Sequence, residues 1–175
     1  MSIKNITFLV LALALAAGAI SFFLVGGGAV KVSPPREVRK MQDFAFTDYE
    51  GRSVKLSDFA GRPLVLNAWA SWCPFCKEEL ADFVLLQQEF GQKLVVVAIN
   101  RGEALEVSKK YSDELGVTDK MIFLLDSGDS FYQAIGGFSM PETVFVDKEG
   151  FVRYHKRGPM KLEEMSRRTQ QTFGL

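Results

Sequence analysis

Residues 64–79 read LVLNAWASWCPFCKEE, an apolar run followed by a Cys-x-x-Cys motif and the acidic start of a helical pattern. Cys73 and Cys76 are the only cysteines of the 175-residue chain. A buried strand that ends in this motif and continues as a helix places the first sulfur at the helix N-terminus. Unpaired backbone N–H groups and the helix dipole favour a thiolate there. The pattern therefore predicts a redox-active dithiol.

Two other uses of the cysteine pair fit the sequence less well. A structural zinc site needs four ligands, and the chain's one histidine, His155, lies far downstream at no ligand-like spacing. A purely structural disulfide stabilises by closing a loop, and a loop this short removes little entropy from the unfolded chain. Reactivity is the better explanation of the pair, and no metal or other cofactor is expected.

The composition indicates one globular domain and argues against nucleic-acid binding. Hydrophobic residues make up 47% of the chain, and its length leaves room for a single domain of about 130–140 residues with its own core. The net charge is zero, but residues 1–40 carry five Lys or Arg and one acid, which leaves 16 basic and 20 acidic residues from Met41 onward. A domain with this acidic excess is not a nucleic-acid binder.

The N-terminal segment is predicted to anchor the chain in a membrane. Residues 6–30 contain no charge, and these 25 residues suffice to span a bilayer as one transmembrane helix. A cleavable signal peptide is the alternative, because residues 16–19, Ala-Ala-Gly-Ala, could supply a small-residue cleavage site. We favour an uncleaved signal-anchor over residues 1–30, and no cysteine follows it closely enough for lipid modification.

Residues 31–42, with two prolines and mixed charge, are predicted to be a linker, and residues 43–175 a single domain. By the positive-inside rule alone, the basic residues after the apolar stretch would place this domain in the cytoplasm. A short N-terminal tail before a single apolar segment is instead typical of an exported protein, and disulfide chemistry has its clearest use outside the cytoplasm. We therefore expect a single-pass protein of the cell membrane with its domain on the extracytoplasmic side.

The domain is predicted to have an α/β fold in which strands and helices alternate. Continuous apolar runs at residues 64–68 and 94–99 indicate strands of a parallel sheet with helices on both faces. Turn residues around Gly51 and Gly150 indicate two β-hairpins. Further helices are predicted from the cysteines to about residue 90, where Gly91 ends the helix, and over residues 103–115, 130–134 and 161–172, with strands over 121–125, 143–147 and 151–155.

Residues 67–79 resemble the active-site stretch of the TlpA/ResA group of thioredoxin-like proteins, whose domains are of the redoxin or AhpC/TSA-like type. The resemblance extends to the Gly51 hairpin, to residues 56–63 and to residues 140–147, MPETVFVD, and covers roughly Asp43 to Lys161. It implies a thioredoxin-like fold. Such a fold has a central mixed sheet with flanking helices, an N-terminal β-hairpin and a βα insertion, here preceded by one transmembrane helix.

By this resemblance, Cys73 is the exposed nucleophile and Cys76 the shielded resolving thiol, and the two form the redox disulfide. Cys73 attacks a substrate disulfide, Cys76 displaces the substrate thiol from the mixed disulfide, and a Cys73–Cys76 disulfide remains. Pro141 resembles the proline that follows a cis peptide bond and faces the dithiol. A cis bond there would let the Met140 backbone pair with an extended substrate segment.

The resemblance also implies supporting residues around the dithiol. Glu79 matches an acidic residue that tunes the cysteines and accepts protons, although a solvated helix carboxylate is the alternative. Asn67 stands where thioredoxin has a buried aspartate, and an amide cannot transfer protons in its place. Trp72 is expected to wall the site together with Trp69, which could instead be part of the core.

Between the cysteines, Pro74 costs no hydrogen bond in the first helical turn, and Phe75 adds apolar surface that suits a hydrophobic client. Outside this site, His155 is expected at a strand end on the surface and without a role. Glu103 and Asp126 are expected as helix-cap or turn residues.

The resemblance implies a thiol–disulfide oxidoreductase that reduces disulfides of extracytoplasmic proteins. Members of the group reduce haem-attachment or copper-site cysteines before cofactor insertion. Apocytochrome c is therefore an expected client, in cytochrome c biogenesis, and a CcdA/DsbD-like membrane thiol protein is the expected electron donor.

Three alternatives remain open. A disulfide-donating oxidase would use the same steps in reverse. A thiol peroxidase fits less well, because residues 68–72 lack the Pro and Thr that peroxiredoxins have ahead of their reactive cysteine. A non-catalytic, membrane-tethered binding or assembly module would keep the cysteines as a passive bridge.

Overall fold

The computed structural model describes residues 39–175, in which seven strands form one mixed sheet flanked by helices. The predicted signal-anchor and most of the predicted linker lie outside the described residues. Within residues 39–175, no helix combines the length and the apolar character needed to cross a membrane.

The elements alternate along the chain as the apolar pattern predicts. The strands are β1 (Ala45–Asp48), β2 (Ser53–Lys55), β3 (Leu64–Trp69), β4 (Val95–Arg101), β5 (Ile122–Asp126), β6 (Glu142–Val146) and β7 (Val152–Arg157). The helices are α1 (Cys76–Phe90), α2 (Leu105–Glu114), α3 (Ser130–Ala134) and α4 (Leu162–Phe173), with short 3-10 turns between some of these elements.

The strand order in the sheet is β2-β1-β5-β4-β3-β6-β7. The central strands β3, β4 and β5 run parallel, whereas β1 joins β5 and β6 joins β3 in antiparallel register. Both predicted hairpins are confirmed, one between β1 and β2 and the other between β6 and β7. The mixed sheet and the thioredoxin-like α/β architecture expected from the resemblance are thus present.

Strand β3 is buried on both faces, because its alternate side chains enter two different parts of the core. Leu64, Leu66 and Ala68 pack in the cluster that includes Phe131 of α3. Residues 65 and 69 face the other side, where α1 and α4 lie. Asn67 shares this second face, so the sheet aims a polar side chain at helix α1.

The observed ends of several elements differ from the predicted ones by one to three residues. Helix α1 ends at Gly91 as predicted, since this residue adopts a φ of 54° and its N–H bonds the Gln87 carbonyl. Helix α2 begins at Leu105 rather than at Glu103, because Ala104 is extended and the Glu103 side chain is bonded to another loop. Strand β7 extends two residues beyond its predicted end at His155.

Candidate active site

Cys73 and Cys76 are joined by a disulfide at the start of α1, with their Cα atoms 5.4 Å apart. Cys73 lies in the turn after β3, and Cys76 is the first residue of α1. Its N–H donates to the Cys73 carbonyl across 3.2 Å. The predicted strand, dithiol and helix are therefore arranged in the expected order.

The expectation that Cys73 is exposed is wrong for the disulfide form. Cys73 is 1% exposed and Cys76 is fully buried, because both belong to an apolar cluster with Trp69 and Leu80 against which Met140 packs. Trp69 is therefore core. The exposed neighbours of the disulfide are Trp72, at 61%, and Phe75, at 60%.

The loop that faces this cluster contains the proline identified from the sequence. The peptide bond between Met140 and Pro141 is cis. The Pro141 carbonyl accepts a hydrogen bond from the Gly158 N–H at 2.9 Å, which ties the loop to the end of the β6–β7 hairpin. Met140 is partly exposed and lies against the cysteine cluster. The structure thus brings the dithiol and the Met140–Pro141 bond together.

Glu79 is a buried residue of α1, 1% exposed, and the alternative of a solvated carboxylate is excluded. It lies three residues beyond Cys76. Its Oε2 accepts a hydrogen bond from Asn67 Nδ2 at 2.9 Å, and its Oε1 accepts one from the Met160 N–H at 2.9 Å. Burial raises the pKa of Glu79 to about 8, and the two hydrogen bonds only partly offset this effect. The carboxyl group is therefore protonated through most of the neutral range.

Asn67 connects Glu79 to strand β6. Its Nδ2 also donates to Thr143 Oγ1 at 3.1 Å, while its buried Oδ1 has no partner among the described residues. An amide whose oxygen is unpaired can reverse its orientation when the neighbouring carboxyl gains a proton to donate. Asn67, which stands where thioredoxin has an aspartate, thus forms a buried polar pair with Glu79 between β3 and α1.

Glu103, expected as a cap or turn residue, holds the segment that precedes the dithiol. It accepts hydrogen bonds from the Ser71 N–H at 2.8 Å and from Asn100 Nδ2 at 2.7 Å. The only signal in the sequence is its position after β4, the strand that pairs with β3 in parallel. Asp126, in contrast, caps α3 as expected, by accepting from the Phe131 N–H at 2.7 Å.

His155 is not the free surface residue that the sequence suggested. Its Nε2 lies 2.6 Å from Oε2 of the fully buried Glu142, the residue after Pro141. Burial lowers the pKa of His155, although the hydrogen bond to Glu142 acts in the opposite direction. Glu142 Oε1 also accepts from the Phe138 and Ser139 N–H groups, at 2.6 and 2.7 Å. The His155–Glu142 pair therefore holds the loop that leads to the cis bond. The sequence analysis did not predict this pair.

The comparisons with known proteins agree with this geometry. The sequence profile of the Redoxin family matches residues 37–171. The thiol-disulfide oxidoreductase ResA of Geobacillus thermodenitrificans is 31% identical over 124 residues, 70% of each protein. That of Bacillus thuringiensis subsp. konkukian is 26% identical over 163 residues, 93% of each protein. A solved structure, the exposed lipoprotein thioredoxin of Streptococcus pneumoniae, is 27% identical with a TM-score of 0.64, covering 74% of this chain and 99% of that one.

The family and the reaction class follow from these findings together. The matched residues include the dithiol, the cis proline and all seven strands of the sheet. The chain belongs to the redoxin family, and its Cys73–Cys76 pair on a thioredoxin-like fold makes it a ResA-like thiol–disulfide oxidoreductase.

Proposed function

We propose that this oxidoreductase reduces disulfides of extracytoplasmic proteins, with Cys73 as nucleophile and Cys76 as resolving thiol. The observation that carries the proposal is the Cys73–Cys76 disulfide at the start of α1, beside the buried carboxyl of Glu79. Thiol–disulfide exchange needs two sulfurs that can each bond either to one another or to a partner, and this placement supplies them.

The exchange proceeds in two displacements. The Cys73 thiolate attacks one sulfur of the client disulfide, forms the mixed disulfide and releases the first client sulfur as a thiolate. Cys76 then loses its proton and attacks Cys73, which releases the second client sulfur. Two electrons pass to the client, and the enzyme is left with its own disulfide for a dithiol donor to reduce.

Glu79, in its deprotonated form, is the proposed proton acceptor for Cys76. The two residues share one face of α1 and are both buried, so water has little access to this thiol. A carboxyl with a pKa of about 8 exchanges a proton with a thiol at little cost in free energy. Asn67 holds the carboxyl in place but cannot itself carry the proton.

The Met140–Pro141 loop is the proposed binding edge for an extended client segment. Pro141 is buried and Met140 is partly exposed beside the cysteine cluster. In this proposal the Met140 backbone pairs with the client backbone, and Pro74 and Phe75 shape the opposite rim. Client side chains near the disulfide would meet the exposed rings of Trp72 and Phe75.

The reducing direction is supported by the charges around the dithiol as well as by the resemblance to TlpA/ResA proteins. Strong oxidants of this fold have a stabilised reduced form. Here the Glu103 carboxylate accepts a hydrogen bond from the Ser71 N–H, two residues before Cys73, and negative charge near a thiol disfavours the thiolate. This arrangement favours the disulfide form of the enzyme, as a reductant requires.

The proposed setting is the outer face of the cell membrane. The uncharged stretch at residues 6–30 supports a single-pass signal-anchor with residues 43–175 as the exported domain. The proposed client is apocytochrome c, and the proposed electron donor is a CcdA/DsbD-like membrane thiol protein. Both assignments rest on the resemblance alone.

The reduction potential of the full chain tests the direction. We expect a value near the thioredoxin end of the range, about −270 mV, when the chain is equilibrated with glutathione or dithiothreitol and followed by Trp fluorescence. A value near about −120 mV would make the protein a disulfide donor. Failure of the two cysteines to exchange at all would favour the non-catalytic binding module.

Trapping tests the roles of the two sulfurs. The Cys76→Ser variant cannot resolve the mixed disulfide, so we expect it to accumulate a covalent adduct with a disulfide-containing protein. The Cys73→Ser variant is the matched control and forms no adduct if Cys73 is the nucleophile. Adducts through Cys76 alone would reverse the assignment.

A further inference from the structure

Phe138 is the most exposed large apolar side chain of the described residues, at 85%, yet its backbone is held firmly. Its N–H donates to the buried Glu142 carboxylate. The residues on either side are also bonded, since the Gly137 N–H donates to the Tyr132 carbonyl at 2.9 Å and the Ser139 carbonyl accepts from the Tyr132 hydroxyl at 3.0 Å. An aromatic ring is thus presented to solvent from a preorganised loop, two residues before Met140.

A stack of side chains joins this loop to the cysteine loop. A Cβ atom at Gly137 would overlap the ring of Tyr132, so only glycine lets the two pack this closely. The Arg101 guanidinium lies 3.3 Å from the centre of the Tyr132 ring and 6.0 Å from that of Trp72. The stack therefore connects the loops of Trp72 and Phe138, and the exposed rings of these two residues define an aromatic surface.

The charge beneath this surface is already neutralised. Arg101 pairs with Asp129 through two hydrogen bonds, of 2.8 and 2.5 Å, and only 16% of its side chain is exposed. Arg157, whose side chain is 54% exposed, donates to the Gly136 carbonyl at 3.1 Å and lies 3.8 Å from the Glu142 carboxyl, so it is also paired. What the two rings themselves offer to a partner is aromatic and apolar surface. An exposed apolar patch on a fixed backbone is typical of a binding site, because little conformational entropy is lost when a partner binds.

We propose that Phe138, together with Trp72, binds an apolar side chain of the client polypeptide close to the client's disulfide. The partner is an extended, unfolded segment in which large apolar residues flank the cysteine, since a folded protein buries such residues. This inference rests on the proposed function, in which proteins are the source of the disulfide. It adds a specificity-determining residue on the Met140–Pro141 side of the site.

The test compares the Phe138→Ala variant of the full chain with the unaltered protein on three disulfides. These are a peptide disulfide flanked by Leu and Phe, the same peptide with Ser in place of the apolar residues, and hydroxyethyl disulfide. We expect the KM for the apolar peptide to rise about fivefold to tenfold, with kcat unchanged. Rates with the other two disulfides and the reduction potential stay the same. The Leu85→Ala variant, which removes another exposed apolar side chain on α1, is the matched control and changes none of these values.

Two outcomes would overturn the inference. One is an unchanged KM for the apolar peptide, and the other is an equal loss of rate with all three disulfides, which would mean that Phe138 supports the site rather than binds the client. Binding of the apolar peptide with its cysteines replaced by Ser, measured by Trp fluorescence, separates the inference from the proposed function. If this peptide binds more weakly to Phe138→Ala and the unaltered protein exchanges no disulfide, the role of Phe138 in binding is supported and the proposed reductase function is contradicted.

Discussion

Glu79 is a carboxylic acid among apolar side chains, and its protonation is linked to the stability of the fold. Because its pKa is about 8 in the folded protein and near 4.5 in the unfolded chain, the folded state holds a proton that the unfolded state releases between these values. The stabilisation is complete below pH 4.5 and is lost as the pH rises towards 8. The unfolding free energy of the protein should therefore fall, relative to that of Glu79→Gln, by about 1 kcal/mol per pH unit from pH 5 to 8.

Urea unfolding of both proteins across this pH range measures the effect. The Glu78→Gln variant is a matched control, because Glu78 is exposed on the same turn, is paired with Lys161, and has a lowered pKa. It should leave the pH dependence between 5 and 8 unchanged. A constant difference between the unaltered protein and Glu79→Gln at every pH would contradict the raised pKa of Glu79.

The role of a single residue could be predicted where a local sequence pattern identifies it. Its burial and hydrogen bonds could not be predicted where they depend on residues far away in the sequence. The Cys-x-x-Cys motif identifies Cys73 and Cys76, and the resemblance of residues 140–147 to TlpA/ResA proteins identifies Pro141, without knowledge of the fold. The burial of Glu79 depends on Asn67 and on Met160, which lie 12 and 81 residues away in the sequence. The spacing of apolar residues does not indicate which distant backbone N–H bonds a carboxylate. From the sequence, Glu79 could therefore be either a proton-accepting residue of the site or a solvated helix carboxylate.

The loop between α3 and β6 depends on one side chain for much of its order. Replacing Glu142 with Ala removes the acceptor of the Phe138 and Ser139 N–H groups, and the loss of a hydrogen bond costs about 0.5–1.5 kcal/mol. We expect faster hydrogen exchange at these two amides and a lower unfolding free energy. The Glu149→Ala variant, in the exposed β6–β7 turn, should change neither. Unchanged protection at both amides would show that other contacts hold the loop.

Elements were more predictable than the contacts between them. The parallel strands β3 and β4 are recognisable because continuous aliphatic runs need two covered faces, and the burial of every residue of β3 confirms this interpretation. The hairpins follow from glycines that adopt positive φ at residues 51 and 150. The predicted start of α2 was two residues too early, because the Glu103 side chain accepts a hydrogen bond from the Ser71 N–H. That contact forms only when β3 and β4 pair.

At the scale of the whole molecule, the fold places three loops around one disulfide. Strand β3 delivers the cysteines, the loop after β4 supplies Glu103, and the loop before β6 supplies the cis proline. Since β3 lies between β4 and β6 in the sheet, these loops are neighbours in space although they are far apart in sequence. The Redoxin match covers all of them and the loop of Phe138 as well, so the dithiol and the proposed client surface lie within one matched domain.

The reducing direction also makes a prediction for the whole molecule, because the potential of the dithiol is linked to the stabilities of the two folded forms. Folding lowers the potential of the pair only if it stabilises the disulfide form more than the dithiol form. A shift of about 30 mV corresponds to about 1.4 kcal/mol. We therefore expect the disulfide form to unfold at a higher urea concentration than the dithiol form, as followed by Trp fluorescence with and without dithiothreitol. A variant with Ser at residues 73 and 76 should not respond to the reductant, and a more stable dithiol form would instead indicate a protein that donates disulfides.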